Sequence, residues 1–119
     1  MSGSLSGRVV LVTGSSRGIG AEVAVKAGGA GATVAVHYNA AADGAARTLE
    51  RVRAAGGDGD CFAADLSDGA AAEGLVRGVL DSFGRIDGLV NNAGLSQVGP
   101  FLSLSAEEWD AIFLPISQG

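Results

Sequence analysis

The sequence predicts an α/β fold built on a parallel sheet, and three observations carry that prediction. Val9-Val10-Leu11-Val12 is apolar without alternation, the pattern of a strand buried on both faces. That strand runs directly into Gly14-Ser15-Ser16-Arg17-Gly18-Ile19-Gly20, where the glycines suit a tight passage into a helix. Short β-branched runs then alternate with helical patterns, a rhythm that implies right-handed βαβ crossovers. A chain of 119 residues has the length of one domain, and two full domains would be crowded.

Residues 1–6 read as a loose polar lead-in in which Leu5 packs under the sheet. The first strand is expected over about residues 8–13 and the first helix over about 19–29. Val23, Ala24 and Ala27 give that helix an apolar side, but Gly28 and Gly29 fall where another apolar turn would help. Each glycine costs roughly 1 kcal/mol relative to alanine in a helix interior, so this helix is expected to end early or fray. Residues 32–38, Ala-Thr-Val-Ala-Val-His-Tyr, form the second strand. The amphipathic pattern of Ala45, Leu49 and Val52 predicts a helix over residues 41–55, stopped by Gly56 and Gly57. Residues 60–64 make a short third strand. Ser67 then caps a helix carrying Leu75, Val76, Val79, Leu80 and Phe83 and ending near Gly84. Residues 86–90 form a fourth strand running into Asn91-Asn92-Ala93-Gly94. Farther on, Ser105-Ala106-Glu107-Glu108 has the capping-box arrangement ahead of Trp109, Ile112 and Phe113, and Pro115 cuts that helix short.

Composition removes several classes of function. The net charge of −5, with no cluster of Lys and Arg, argues against a nucleic-acid footprint. The single cysteine, Cys61, excludes an internal disulfide. No apolar run approaches the roughly 18 to 20 residues that span a bilayer, and no segment resembles a signal peptide, so a soluble, cytoplasmic chain is expected. No metal-ligand pattern is present.

The glycine turn carries the chemistry. Without side chains, Gly14, Gly18 and Gly20 let backbone N–H groups and the helix N-terminus approach a pyrophosphate, whose charge the helix dipole favours. The reading is dinucleotide binding, although an ordinary strand-to-helix turn has the same glycines. In dinucleotide-binding units an acidic residue after the second strand typically holds the ribose hydroxyls. Here His37, Tyr38 and Asn39 stand in its place, and Arg17 supplies positive charge, which favours NADP over NAD. His37 itself reads as a strand-end residue with no ligand and not as a base.

Taken together, Thr13-Gly14-Ser15-Ser16-Arg17-Gly18-Ile19-Gly20, Asp65-Leu66 and Asn91-Asn92-Ala93-Gly94 resemble the short-chain dehydrogenase/reductase family, particularly its 3-oxoacyl-[acyl-carrier-protein] reductase-like members. The resemblance covers nearly the whole chain. It implies a Rossmann-like, doubly wound parallel sheet, here of about four strands in the order 3-2-1-4, and an NADP-dependent oxidoreductase acting on a ketone or secondary alcohol. By the same resemblance Gly14, Ser15, Ser16, Arg17, Gly18, Ile19 and Gly20 line the pyrophosphate and the adenosine phosphate, and Asn39 lies by the 2′-phosphate. Asp65 and Leu66 meet the adenine. Asn92, Ala93 and Gly94 sit beside the nicotinamide-side ribose, and Asn91 braces the central strands. The alternatives are that Asp65 is only a helix-entry carboxylate and that Asn91 and Asn92 are turn residues satisfying strand-end backbone groups, and the order of the motifs shifts the balance toward binding.

The family's proton chemistry uses a tyrosine, a nearby lysine, a serine and a supporting asparagine, all beyond Asn-Asn-Ala-Gly. No Tyr-x-x-x-Lys can be written here, because the only tyrosine is Tyr38 and the only lysine Lys26. No catalytic residue is therefore assigned. Residues 1–119 are expected to be the N-terminal dinucleotide-binding part of a single domain, lacking the catalytic half and inactive alone. Ile116 stands where the family's relay asparagine is expected, and the tail from Leu114 to Gly119 departs from the family's helix. One permissible back-translation of the tail, shifted in frame, reads Ala-Asn-Leu-Thr-Gly, so a frameshift in a gene for a longer reductase is expected. The fourth strand would then lie at an uncovered edge, which predicts a marginally stable, aggregation-prone chain. Family members usually form homo-oligomers through later helices. The alternatives are a non-catalytic NADP-binding module, a half-protein needing a complementing chain, and an interaction protein that uses only the scaffold.

Overall fold

The computed structural model describes residues 5–90. In chain order the elements are β1 (Val9–Val12), α1 (Gly18–Gly29), β2 (Thr33–Tyr38), α2 (Ala42–Ala54), β3 (Asp58–Ala63), α3 (Gly69–Phe83) and β4 (Gly88–Val90). The strands form one sheet in the order β3-β2-β1-β4, and every pairing is parallel. The predicted architecture and strand order are therefore observed. Parallel neighbours require a crossover, and each crossover here contains one helix.

The sheet is covered on both sides, which explains why β1 is apolar throughout. Val10 and Val12 join Val34, Val36, Val23, Ala24, Ala27, Ala45 and Val52 in one cluster, under α1 and α2. Val9 and Leu11 join Ala35, Leu75, Val79 and Ile86 in the other, under α3. Successive strand residues point to opposite faces, so a strand with helices on both sides has no position to leave polar. Leu5 is buried beneath this assembly, and its N–H donates to the Ala30 carbonyl at 2.8 Å.

Four local expectations are corrected. Helix α1 does not end early but continues through Gly29. A Cβ on Gly28 would lie 2.8 Å from Val52 Cγ1 and 3.1 Å from the Val52 carbonyl oxygen, so the missing side chain is what lets α1 and α2 approach. Packing thus outweighs a propensity cost of roughly 1 kcal/mol. The cap of α3 is Asp68, whose Oδ1 accepts from the Ala70 N–H at 2.9 Å. Ser67 instead turns back, donating both its N–H and its hydroxyl to Asp65 Oδ1. Strand β3 begins two residues before the expected start, because pairing of Asp58 with Thr33 and Gly59 with Val34 extends a ladder that residue preference argues against. Strand β4 is shorter than predicted. Ile86 is fully buried ahead of it, and the Asp87 N–H donates to the Val9 carbonyl at 2.8 Å. The motif at residues 91–94, the capping box at 105–108 and the tail lie outside the described residues.

Candidate dinucleotide site

The carboxyl ends of β1, β2 and β3 open on one edge of the sheet, where the turn of residues 13–17 leads into α1. Gly14 and Gly18 adopt φ of 62° and 60°, left-handed values that side-chain-bearing residues rarely take. The first half of the turn is bound to its neighbours. Thr13 N–H donates to the Val90 carbonyl at 3.0 Å, Gly14 N–H to His37 Nδ1 at 2.9 Å, and Ser15 N–H to the His37 carbonyl at 2.9 Å. The Ser15 hydroxyl is fully buried, donates to the Val12 carbonyl at 2.7 Å and accepts from the His37 N–H at 3.0 Å.

The second half faces outward. Ser16 and Ile19 are half-buried, Arg17 and Gly18 are exposed, and Gly20 is buried where the helix begins. Arg17 is the extended residue before α1, no side chain among the described residues caps that helix, and its first turn holds no acidic residue. First-turn N–H groups have no intrahelical acceptor, and the dipole adds partial positive charge there, so the end suits an anion.

Beside it lies a cleft of about 350 Å³ lined by Ser16, Arg17, Ala40, Ala41, Ala42, Asp43, Gly44 and Arg47. Two guanidinium groups and one carboxylate give it a net positive lining. Gly44 sets its floor: a Cβ there would lie 2.5 Å from the Ser16 carbonyl oxygen, so α2 can seat against the turn only with glycine at this position. Asn39 is exposed just past β2, and the cleft lining starts one residue later.

Asp65 is exposed beyond β3, and the hydrogen bonds from Ser67 hold its carboxyl below the usual carboxylate range. Leu66 packs half-buried against the cluster under α3. The structure thus brings Gly14 through Gly20 together with the Arg17 cleft and ties the loop leading to Asp65 to the turn through His37, whose Nε2 lies 2.8 Å from the Ala64 carbonyl. Asn92, Ala93 and Gly94 lie outside the described residues.

Two residues escape a reading of the sequence. His37 is buried and engaged through both ring nitrogens. The signal was a polar ring closing an otherwise apolar buried strand. Arg47 looks like a solvated helix residue, but it follows Asp43 by four positions and so shares its face toward the cleft. Among the described residues no three His, Cys, Asp or Glu side chains gather as a metal site, and no helix is long and apolar enough to cross a membrane.

Residues 8–114 match the short chain dehydrogenase family, and the chain belongs to it. It is 39% identical over 109 residues to an uncharacterized oxidoreductase of Methylorubrum extorquens, covering 92% of this chain and 44% of that protein. It is 34% identical over 102 residues to a 3-oxoacyl-[acyl-carrier-protein] reductase of Staphylococcus aureus, covering 86% of this chain and 42% of the reductase. Among solved structures, a landomycin C-6 ketoreductase with bound NADP and rabelomycin superposes with a TM-score of 0.70 at 40% identity, over 93% of this chain and 48% of the ketoreductase. The chain therefore spans less than half the length of these relatives.

Proposed function

We propose that residues 1–119 form the cofactor-holding part of a short-chain oxidoreductase and bind NADP in preference to NAD. The observation that carries this reading is the cleft lined by Arg17 and Arg47 beside the start of α1, a helix with no side-chain cap among the described residues. The helix start and the exposed second half of the glycine turn suit the pyrophosphate, and the two guanidinium groups of the cleft suit a further phosphate on the adenosine ribose. The absence of an acid at Asn39 removes the group that would repel that phosphate. The exposed Asp65 carboxylate and Leu66 beside it line the approach proposed for adenine, and Asn92, Ala93 and Gly94 are proposed for the nicotinamide-side ribose.

When bound, the nicotinamide supplies a hydride to, or accepts one from, the carbon of a ketone or secondary alcohol. This chain's own residues bind and orient: the start of α1 holds the pyrophosphate, Arg17 holds the further phosphate on the adenosine ribose, and the ties of the turn to β2 keep that geometry. The reductase names of the relatives and the NADP bound to the landomycin ketoreductase support the assignment. No Tyr-x-x-x-Lys occurs among the 119 residues, so these residues are proposed to hold cofactor without catalysing reduction.

The test is fluorescence titration of the 119-residue chain with NADPH and NADH. NADPH should bind more tightly, and Arg17→Ala should weaken NADPH by about 1.5 kcal/mol or more, a factor of about ten, while leaving NADH nearly unchanged. Arg47→Ala should act in the same direction with a smaller effect that added salt erodes. Equal affinities for the two cofactors, or no binding of either, would refute the proposal.

A further inference from the structure

We propose that His37 is a positioning residue for the cofactor site, a neutral imidazole clamp that sets the glycine turn and the loop before Asp65 at a fixed separation. The inference rests on the dinucleotide reading above and deepens it.

The hydrogen bonds determine the protonation state. A backbone N–H can only donate, so the Gly14 N–H, 2.9 Å from His37 Nδ1, requires a lone pair on that nitrogen. The ring proton is therefore on Nε2, where it donates to the Ala64 carbonyl at 2.8 Å. His37 is only 4% exposed, and both of its ring contacts are at least partly shielded from water. The backbone of the same residue reinforces the clamp: its N–H donates to Ser15 Oγ at 3.0 Å and its carbonyl accepts the Ser15 N–H at 2.9 Å. One residue at the end of β2 thus holds Gly14, Ser15 and Ala64 together. Gly14 begins the turn whose exposed second half is proposed for the pyrophosphate, and Ala64 precedes the residues proposed for adenine. The span between the two loops is the span the dinucleotide must match, and a ring bonded at both ends fixes it.

The clamp has a specific substitution pattern. In His37→Asn the Oδ1 atom occupies roughly the place of Nδ1 and can accept from Gly14, whereas His37→Leu keeps bulk and burial with no acceptor. NADPH titration of the 119-residue chain should give His37→Asn, which keeps an acceptor for Gly14 but is too short to reach Ala64, an affinity about threefold weaker than the parent, and His37→Leu, which keeps neither contact, an affinity about tenfold or more weaker. Parent-like binding by either variant, or Asn as weak as Leu, would overturn the proposal. Should His37→Leu not fold, the Asn result still decides, together with nitrogen NMR of the unsubstituted chain. That spectrum should show Nδ1 unprotonated, Nε2 protonated and a coupling across the hydrogen bond from the Gly14 amide to Nδ1. A proton on Nδ1, or no such coupling, would overturn it. If the unsubstituted chain binds neither NADPH nor NADH, the dinucleotide reading fails on its own, and the coupling still reports whether His37 holds the turn.

Discussion

The two halves of the glycine turn are adjacent in sequence and opposite in what they do with their polar groups. Thr13, Gly14 and Ser15 direct their amides inward, to Val90 and to His37, and the Ser15 hydroxyl lies fully buried between Val12 and His37. Ser16 and Arg17 instead line an open cleft, and the helix that follows has no side-chain cap among the described residues. The difference teaches how a loop can be rigid and still present an exposed edge: one half uses its hydrogen-bonding groups to fix the backbone, and that rigidity would let the other half receive the proposed phosphates without the turn collapsing.

The largest effect is expected where the receptive half is pressed from outside. Gly44→Val would drive a branched side chain into the Ser16 carbonyl, already 2.5 Å from a hypothetical Cβ. Overpacking of this kind costs about 1–3 kcal/mol, and urea denaturation should show a loss in that range together with loss of NADPH binding. Unchanged binding would mean that the seat of α2 does not shape the cleft.

A second contrast separates the halves directly. Ser15→Ala leaves the buried His37 N–H without its acceptor, so stability should fall by about 1–3 kcal/mol. Arg17→Ala, at an exposed position, should change stability by less than about 0.5 kcal/mol while weakening NADPH. Matching profiles for the two variants would break the division proposed between them.

The smallest effect lies far from the turn. Asp87 accepts from the Val9 N–H at 2.7 Å and takes a two-pronged contact from Arg85, joining the start of β4 to β1. Burial pushes its carboxyl up, but the hydrogen bonds from Arg85 and Val9 outweigh this and hold it below the ordinary carboxylate range. A carboxyl depressed in the folded state contributes stability above its unfolded value and loses it as pH falls through the lower folded value. Melting temperature should therefore drop less steeply on acidification in Asp87→Asn than in the parent, with cofactor preference unchanged. Parallel acid profiles would contradict the assignment.

Much of this was legible from residue order. The uninterrupted Val9-Val10-Leu11-Val12 run required two covered faces, and the structure supplies them with α1 and α2 on one side and α3 on the other. Helix α2 was visible because Ala45, Leu49 and Val52 share one face. What was not legible depended on contacts distant in sequence. Gly28 looked like a helix breaker until Val52 was found against it, and Asp58 and Gly59 looked unlike a strand until β2 paired with them. At the site, the glycine spacing announced the turn, but the roles of His37 and Arg47 depend on neighbours 23 residues apart in one case and on the wall of a cleft in the other.

The central claim, that the outward half of the turn and its arginine cleft are shaped for an adenosine carrying an extra phosphate, is tested most directly by calorimetric titration of the 119-residue chain with adenosine 2′,5′-bisphosphate against adenosine 5′-monophosphate. The account predicts tighter binding of the bisphosphate by about tenfold, with the gap closing in Arg17→Ala and shrinking as salt is raised. Indistinguishable affinities in the unsubstituted chain at low salt would contradict it.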